Sequence, residues 1–65
     1  MLTPGDYVIN QRTGSFGKVI GYGHQILNSV YLTTLKVLVT AKSEVSKKTF
    51  VEEDLVSAWL PIKSG

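Results

Sequence analysis

The sequence predicts an all-β fold, a small five-stranded barrel with a short 3-10 or helical turn near the C-terminus. Runs of β-forming residues alternate with polar loops that contain glycine, as in strand-rich domains. The second run holds Gly17, Gly21 and Gly23. Repeated glycine in a strand indicates bends or bulges, and therefore the curvature that a closed barrel needs. With 65 residues, 43% hydrophobic and 18% charged, the chain is predicted to form one domain over residues 1–65.

The N-terminal third predicts a turn, two strands and the loop between them. The segment PGD at residues 4–6 favours a sharp turn, because proline presets its backbone and glycine accepts a positive φ. The lead-in before it, residues 1–3, can pair with the end of the chain. Tyr7–Asn10 and 16–23 are the predicted strands, and the polar residues 11–15 form the loop that joins them.

A second hairpin is predicted to follow. Residues 24–28 are interpreted as a connection with its turn at Asn28 and Ser29. The segment 30–40 is the longest run of β-forming residues and predicts a strand. Side chains alternate between the two faces of a strand, and Lys36 belongs in solvent. The predicted core set of this strand is therefore Leu35, Val37 and Val39, and the predicted solvent set is Thr34, Lys36 and Leu38.

The last part of the chain is predicted to hold a polar connection at 41–44 and a short strand at 45–50. Pro61 is expected to end the final element, because proline offers no backbone donor. Residues 63–65 are interpreted as a frayed tail. The predicted core of the whole domain is Val8, Val19, Leu35, Val37, Val39, Phe50, Leu55 and Trp59.

Two interpretations of residues 51–60 stay open. Thr49 and Glu52 have the spacing of a helix capping box. A stripe of apolar residues at helical spacing follows, namely Val51, Leu55, Ala58 and Trp59. We favour one 3-10 or α turn at 52–55 that leads into a last strand at 56–60. A single C-terminal helix is the alternative.

Composition and motifs exclude several classes of function. The chain has no cysteine and one histidine, so no disulfide or multi-ligand metal site is expected. No catalytic or cofactor-binding motif is present, which predicts a protein that is not an enzyme and binds no cofactor. His24 is expected in a loop, and the acidic triplet 52–54 in the first turn of a helix. Without a signal peptide or a run of about 20 apolar residues, the expected location is the cytoplasm, with no membrane span.

The remaining signal is a binding surface. Aromatic residues flank the predicted loops and cations lie among them, a composition that suits contact with an acidic segment of a partner protein. The predicted partner-binding residues are Tyr7, Arg12, Phe16, Lys18 and Tyr22. The expected mechanism combines pairing at an exposed strand edge with an aromatic pocket.

Two other kinds of function are kept as alternatives. The net charge of +2 is compatible with nucleic-acid binding, and its phosphate contacts would come from Arg12, Lys18, Lys47 and Lys48. A small accessory subunit of a larger complex would instead expose more apolar surface than a monomer tolerates, with Leu38, Ile26 and Leu27 among the exposed residues. The oligomeric state is left open.

The order of segments also resembles a known group of folds. PGDYVIN, TGSFGKVIGYG, LKVLV, KKTF and VEEDLVSAWLP follow one another in a pattern similar to SH3-like barrels of the Tudor-like and KOW-like kind. CarD-type polymerase-interaction domains and the C-terminal Tudor domain of UvrD-type helicases are examples. The matching positions are Gly5, Asp6 and Val8, then Gly17 and Val19. The resemblance implies a noncatalytic module that docks on a larger protein, of which RNA polymerase is the best-known example, and a transcription-related process.

Overall fold

Five antiparallel strands form one sheet in this computed structural model, which describes residues 2–42 and 47–62. The strands are β1 (Tyr7–Asn10), β2 (Phe16–Leu27), β3 (Val30–Lys42), β4 (Lys47–Leu55) and β5 (Trp59–Pro61), and a 3-10 helix, Val56–Ala58, joins the last two. Their order in the sheet is β4-β3-β2-β1-β5. The predicted all-β class and the 3-10 turn near the C-terminus are confirmed. Within the described residues no backbone ladder joins the edge strands β4 and β5, so the sheet is open.

The first hairpins differ from the prediction mainly in length. β1 has the predicted bounds, but β2 continues to Leu27 and pairs with β3 up to the turn. Asn28 and Ser29 have φ of 51° and 64°. Positive φ at both central residues is typical of the two-residue turn that best matches the twist of paired strands. The connection predicted at 24–28 was therefore wrong except for this turn. The tight turn leaves both flanking segments in register to pair.

The C-terminal region contains no α-helix among its described residues. β4 pairs with β3 from Lys42↔Lys47 to Thr34↔Leu55. The capping-box interpretation, the turn at 52–55 and the C-terminal helix were therefore all wrong, and the acidic triplet lies in a strand. The 3-10 helix comes later, and the last strand is Trp59–Pro61 rather than 56–60. The long ladder with β3 supplies backbone hydrogen bonds in place of those that a helix would have made within itself.

The chain ends are arranged differently from the prediction. β1 pairs with β5, whereas Leu2 of the lead-in packs against the core without joining the sheet. Pro61 ends β5 as predicted. The first two residues of the connection predicted at 41–44, Ala41 and Lys42, belong instead to β3 and pair with β4. Residues 43–46 and the predicted frayed tail at 63–65 lie outside the described residues.

The core lies on one face of the curved sheet. Six predicted members are buried there: Val8, Val19, Leu35, Val37, Val39 and Trp59. Leu55 is half-buried, and Phe50 is 44% exposed. Phe50 pairs with Val39 and shares its face, but β4 is an edge strand, so no further strand covers the ring. The structure adds buried Asn10 and Ala58 to the core.

Thr34 is buried although it lies on the face opposite the core, where the alternation of β3 predicted a solvent residue. Its hydroxyl donates a hydrogen bond to Oε2 of Glu53. A Cβ added to Gly23 would collide with this carboxylate and with the Thr34 hydroxyl. The missing side chain of Gly23 thus lets Glu53 fold down and cover Thr34.

A bulge in β2 exchanges the two faces of that strand. The register with β3 shifts between Val19 and Gly21, so the residue between them has no direct partner. Before the bulge Lys18 pairs with Leu38, on the face away from the core. After it Tyr22 pairs with the buried Leu35, on the core side. One inserted residue moves every following side chain to the other face.

Candidate functional site

The face of the sheet opposite the core, called the outer face here, carries apolar side chains across all five strands. Directly paired residues of antiparallel strands point to the same side. Ile9 pairs with Phe16 and with Leu60, while Leu38 pairs with Lys18 and with Val51. The exposed apolar residues of this face include Tyr7, Ile9, Phe16, Leu38, Val51 and Leu60. Such a continuous apolar stripe is typical of a contact surface.

An open cavity of about 480 Å³ lies in the middle of the outer face. Its lining residues come from three adjacent strands: Tyr7, Phe16, Gly17, Lys18, Leu38 and Thr40. Three of the five predicted partner-binding residues, Tyr7, Phe16 and Lys18, therefore meet at one place. The cavity volume falls within the range of about 300–1,000 Å³ common for ligand sites.

Gly17 allows the strands beneath this cavity to approach closely. A Cβ at this position would collide with the backbone carbonyl of Leu38 and touch a methyl group of Val37. The backbone of β2 can therefore lie against β3 only because residue 17 has no side chain. Gly17 pairs with the buried Val8 and Val39, so a Cβ at this position would point to the core side, and the backbone of Gly17 lines the cavity between Phe16 and Lys18.

Lys18 supplies the charge at the cavity. Its ammonium nitrogen lies 5.8 Å from the centroid of the Tyr7 ring, within the range of a cation–π contact. Such a contact orients the lysine beside the apolar cavity without neutralising its charge. No carboxylate is among the lining residues, so the cavity suits an apolar side chain of a ligand with a negative group next to it.

Arg12 lies elsewhere and is already paired. Its guanidinium donates to Oδ2 of Asp54 at 2.7 Å, and the side chains are 70% and 12% exposed, respectively. Asn10 donates to the same carboxylate oxygen at 3.0 Å. These hydrogen bonds, first from Asn10 and then from Arg12, hold the pKa of Asp54 below its usual value. The arrangement gives Arg12 a structural role, the attachment of the β1–β2 loop to β4.

Tyr22 is separated from the cavity by the bulge. It lies on the core side of the sheet, remains partly exposed, and donates its hydroxyl to the carbonyl oxygen of Leu2 at 2.6 Å. The hydrogen bond holds the lead-in segment against the sheet. The structure thus brings Tyr7, Phe16 and Lys18 together and leaves Tyr22 and Arg12 at other positions.

The remaining candidates form no further cluster within the described residues. Lys48 is exposed, and the side chain of Lys47 lies outside the description. His24 is in β2 and not in a loop, with its ring in edge contact with Tyr31 at 5.6 Å between centroids. Residues 2–42 and 47–62 contain no group of three potential metal ligands. No helix among them is long and apolar enough to cross a membrane.

Sequence reasoning missed three lining residues as site residues: Gly17, Leu38 and Thr40. Leu38 carried a usable signal, since it is an apolar residue at a solvent position of the predicted third strand. Its neighbours could not be identified without the strand register, which depends on contacts between distant segments. Thr40 carried no signal of its own.

Comparison with protein-family models, with curated proteins and with solved structures found no match to this chain.

Proposed function

We propose that this chain is a noncatalytic protein-interaction module that binds a segment of a larger protein on its outer face. The observation that carries the proposal is the open apolar cavity bordered by Tyr7, Phe16 and Leu38, with the Lys18 ammonium at its side. The ligand is a segment with an apolar side chain that fills the cavity and an aspartate or glutamate that meets Lys18. The apolar contact supplies affinity, and the charge supplies orientation and rate of encounter.

Pairing with a strand edge is a second, separate contact in this proposal. β4 has β3 on one side and a free edge on the other, among the described residues. β5, at the opposite end of the sheet, is short and contains Pro61, which makes it a poor template. A strand added to β4 would lie about 10 Å from β3, two strand spacings away. The partner segment must therefore cross from this edge over Val51 to reach the cavity.

The finer fold that we propose is an SH3-like barrel of the Tudor-like or KOW-like kind. Support comes from polar bridges to β4 from the end of β1 and from the β1–β2 loop, namely Asn10 and Arg12 to Asp54 and Thr13 to Glu52. These side chains join β4 to the β1 side of the sheet, two strands that are not paired through their backbones among the described residues. By this resemblance, RNA polymerase is a candidate for the larger partner and the process is related to transcription.

The proposal is tested by capturing the partner protein from a lysate of the source cells. The wild-type chain is compared with two variants that change its charge equally. Lys18→Glu and Lys48→Glu change the net charge equally, but only Lys18 lines the cavity. We expect a discrete protein partner for the wild type that survives nuclease and moderate salt. The amount of partner recovered should fall about tenfold or more with the double variant Tyr7→Ala, Phe16→Ala, and equally with the variant Lys18→Glu. Lys48→Glu should recover as much partner as the wild type.

Two outcomes would contradict this assignment. Full partner recovery by a folded Tyr7→Ala, Phe16→Ala variant removes the cavity from the mechanism. Equal losses in Lys18→Glu and Lys48→Glu, together with recovery that disappears with nuclease or at moderate salt, favour the nucleic-acid alternative.

A specific observation also favours the accessory-subunit alternative. Leu38, Ile26 and Leu27 are all exposed, as that interpretation requires. It predicts a chain that aggregates when purified alone and is recovered in fixed proportion with one complex. A purified chain that stays monodisperse at high concentration would count against it.

A further inference from the structure

Two exposed lysines lie on the outer face without a carboxylate partner among residues 2–42 and 47–62. Within these residues the only ion pair joins Arg12 to Asp54. Lys18 pairs with Leu38, and Lys36 lies two residues before Leu38 on β3. Because side chains alternate along a strand, both lysines point to the outer face. Lys36 thus adds a second cation to the surface that carries the cavity.

Glu53 lies directly opposite Lys36 but does not form an ion pair with it. The two residues are partners in the ladder of β3 with β4, where opposite charges can form a stabilising pair. Instead, Oε2 of Glu53 accepts a hydrogen bond from the hydroxyl of Thr34, two residues away on β3. A Cβ on Gly23 would collide with the Glu53 carboxylate in this position. Thr34 and Gly23 therefore hold the acid away from Lys36.

The other described carboxylates are also bound by the chain itself. Asp6 accepts the hydroxyl of Thr3. Glu52 accepts the hydroxyl of Thr13. Asp54 accepts side chains of the β1 end and the β1–β2 loop. The described acids are thus satisfied internally, whereas the two lysines of the outer face are left to an anion from outside the chain.

The cavity and the two lysines follow one another along β3. Thr40, which lines the cavity, and Lys36 lie on opposite sides of Leu38 along this strand. Lys36 is the diagonal neighbour of Lys18, and such neighbours are about 7–8 Å apart. In an extended peptide, residues two positions apart are separated by about 7 Å and point to the same face. Every second residue of an extended segment can therefore meet the cavity, then Lys18, then Lys36.

We propose that the outer face recognises an extended acidic segment in which an apolar residue and two carboxylates occupy alternate positions. The apolar side chain fills the cavity, the nearer carboxylate meets Lys18, and the farther one meets Lys36. Lys36 is the added specificity residue, and Thr34 and Gly23 are positioning residues that keep it available. The inference rests on the proposed function and names the chemistry of its ligand. The apolar cavity beside the cations favours a peptide over a phosphate backbone, which has no apolar side chain.

Two synthetic peptides with blocked ends test this inference. The acidic probe carries leucine, glutamate and glutamate at alternate positions, with serine between them. The control probe has glutamine in place of both glutamates. NMR chemical shifts of the full chain are followed at about 0.05 M salt, where surface charges are little screened. We expect the acidic probe to shift the amides of Tyr7 and Lys18 and to bind about fivefold or more tightly than the control.

Charge-matched variants test the role of Lys36. Lys36→Glu should weaken binding of the acidic probe about fivefold or more, because it replaces an attraction by a repulsion. Lys48→Glu is the control. Lys48 is an exposed lysine two residues before Phe50, whose partner is the buried Val39, so it lies on the other face. This variant should change the affinity less than about twofold.

A second pair of variants tests the positioning of Glu53. Thr34→Val removes the hydroxyl that holds Glu53, so that the carboxylate can meet Lys36. Binding of the acidic probe should then weaken about twofold or more. Adding Glu53→Gln should restore it, which would not happen if Thr34→Val only disturbed the fold. If circular dichroism shows Thr34→Val to be unfolded, Glu53→Gln alone decides, and it should bind the acidic probe as the wild type does.

Four outcomes would overturn the inference. They are equal binding of the two probes by the wild type, equal binding of the acidic probe by Lys36→Glu and Lys48→Glu, a folded Thr34→Val variant that binds as the wild type does, and a Glu53→Gln variant that binds several times more tightly than the wild type. The last would show that Lys36 is already neutralised. In each case the proposed function stands if Lys18→Glu still weakens partner capture, and it fails separately if Lys18→Glu does not.

Discussion

At the scale of single residues, Gly17 shows how one missing side chain determines the packing of two strands. Its lack of a Cβ lets β2 approach the backbone of Leu38, and the backbone of Gly17 itself lines the cavity. Gly21, four residues further along the same strand, has open space around the position of a Cβ. Neither glycine has a positive φ. The two positions therefore differ in space and not in backbone strain.

Gly17→Ala and Gly21→Ala form a matched pair of variants that tests this difference. The alanine at 17 forces the strands apart, and we expect a loss of about 1–3 kcal/mol in the free energy of unfolding. The alanine at 21 meets no atom and reduces the freedom of the unfolded chain, so its effect should be near zero or a gain of about 0.4–1 kcal/mol. Urea unfolding measures both. Equal losses at the two positions would contradict the close approach at Gly17.

Sequence reasoning assigned residues to the core correctly where the pattern of their own segment was sufficient. Val8, Val19 and Leu35 could be assigned to the core because each stands in a run with regular alternation. Tyr22 could not be placed, since the bulge before it is defined by the register with β3. A one-residue shift in that register changes its face and separates it from Tyr7 and Phe16.

At the scale of secondary-structure elements, the same distinction holds. The turn at Asn28 and Ser29 was predicted from the two residues that form it. The helical spacing of Val51, Leu55 and Ala58 was misleading, because these residues belong to an edge strand and a 3-10 helix. Val51 and Leu55 pair with Leu38 and Thr34 of β3, which lie more than ten residues earlier in the chain. Pairing with a distant strand outweighed the local preference.

The turn between β2 and β3 can be made more stable by a single substitution. Asn28 and Ser29 both have positive φ, and asparagine followed by glycine is the preferred pair for such a turn. Ser29→Gly should therefore stabilise the chain by about 0.5–1 kcal/mol. Ser15→Gly, a serine in the β1–β2 loop without positive φ, is the control and should give no gain. Thermal or urea unfolding that shows no difference between the two variants would count against a stabilising effect of the turn.

At the scale of the whole molecule, side chains connect β1 and β4, which no backbone ladder connects within residues 2–42 and 47–62. Asn10 is buried, and its Oδ1 accepts the backbone N–H groups of Arg12 and Thr13 while its Nδ2 donates to Asp54. The same group of residues thus shapes the β1–β2 loop and attaches it to β4. The attachment holds the sheet in its curved form, which keeps the core residues covered.

Asp54 makes this attachment sensitive to acid. Hydrogen bonds from Asn10 and Arg12 lower the pKa of Asp54 in the folded state. The folded state therefore binds the proton more weakly than the unfolded state, whose aspartate pKa is about 3.9. The stabilisation is fully present above that pH and is lost as the pH falls through the lower pKa of the folded state. Protonation of Asp54 should loosen the loop, the edge strand and the core as one unit.

Two variants test whether this group controls acid stability. Asp54→Asn removes the titrating carboxylate, so its free energy of unfolding should fall less than that of the wild type between about pH 6 and pH 2.5. Asn10→Asp keeps the acceptor for Arg12 and Thr13 but places a second carboxylate against Asp54. One pKa of that pair is raised, so the penalty is largest at neutral pH and decreases as the pH falls towards 4. Parallel pH profiles for the wild type and Asp54→Asn would show that the sheet is held together elsewhere.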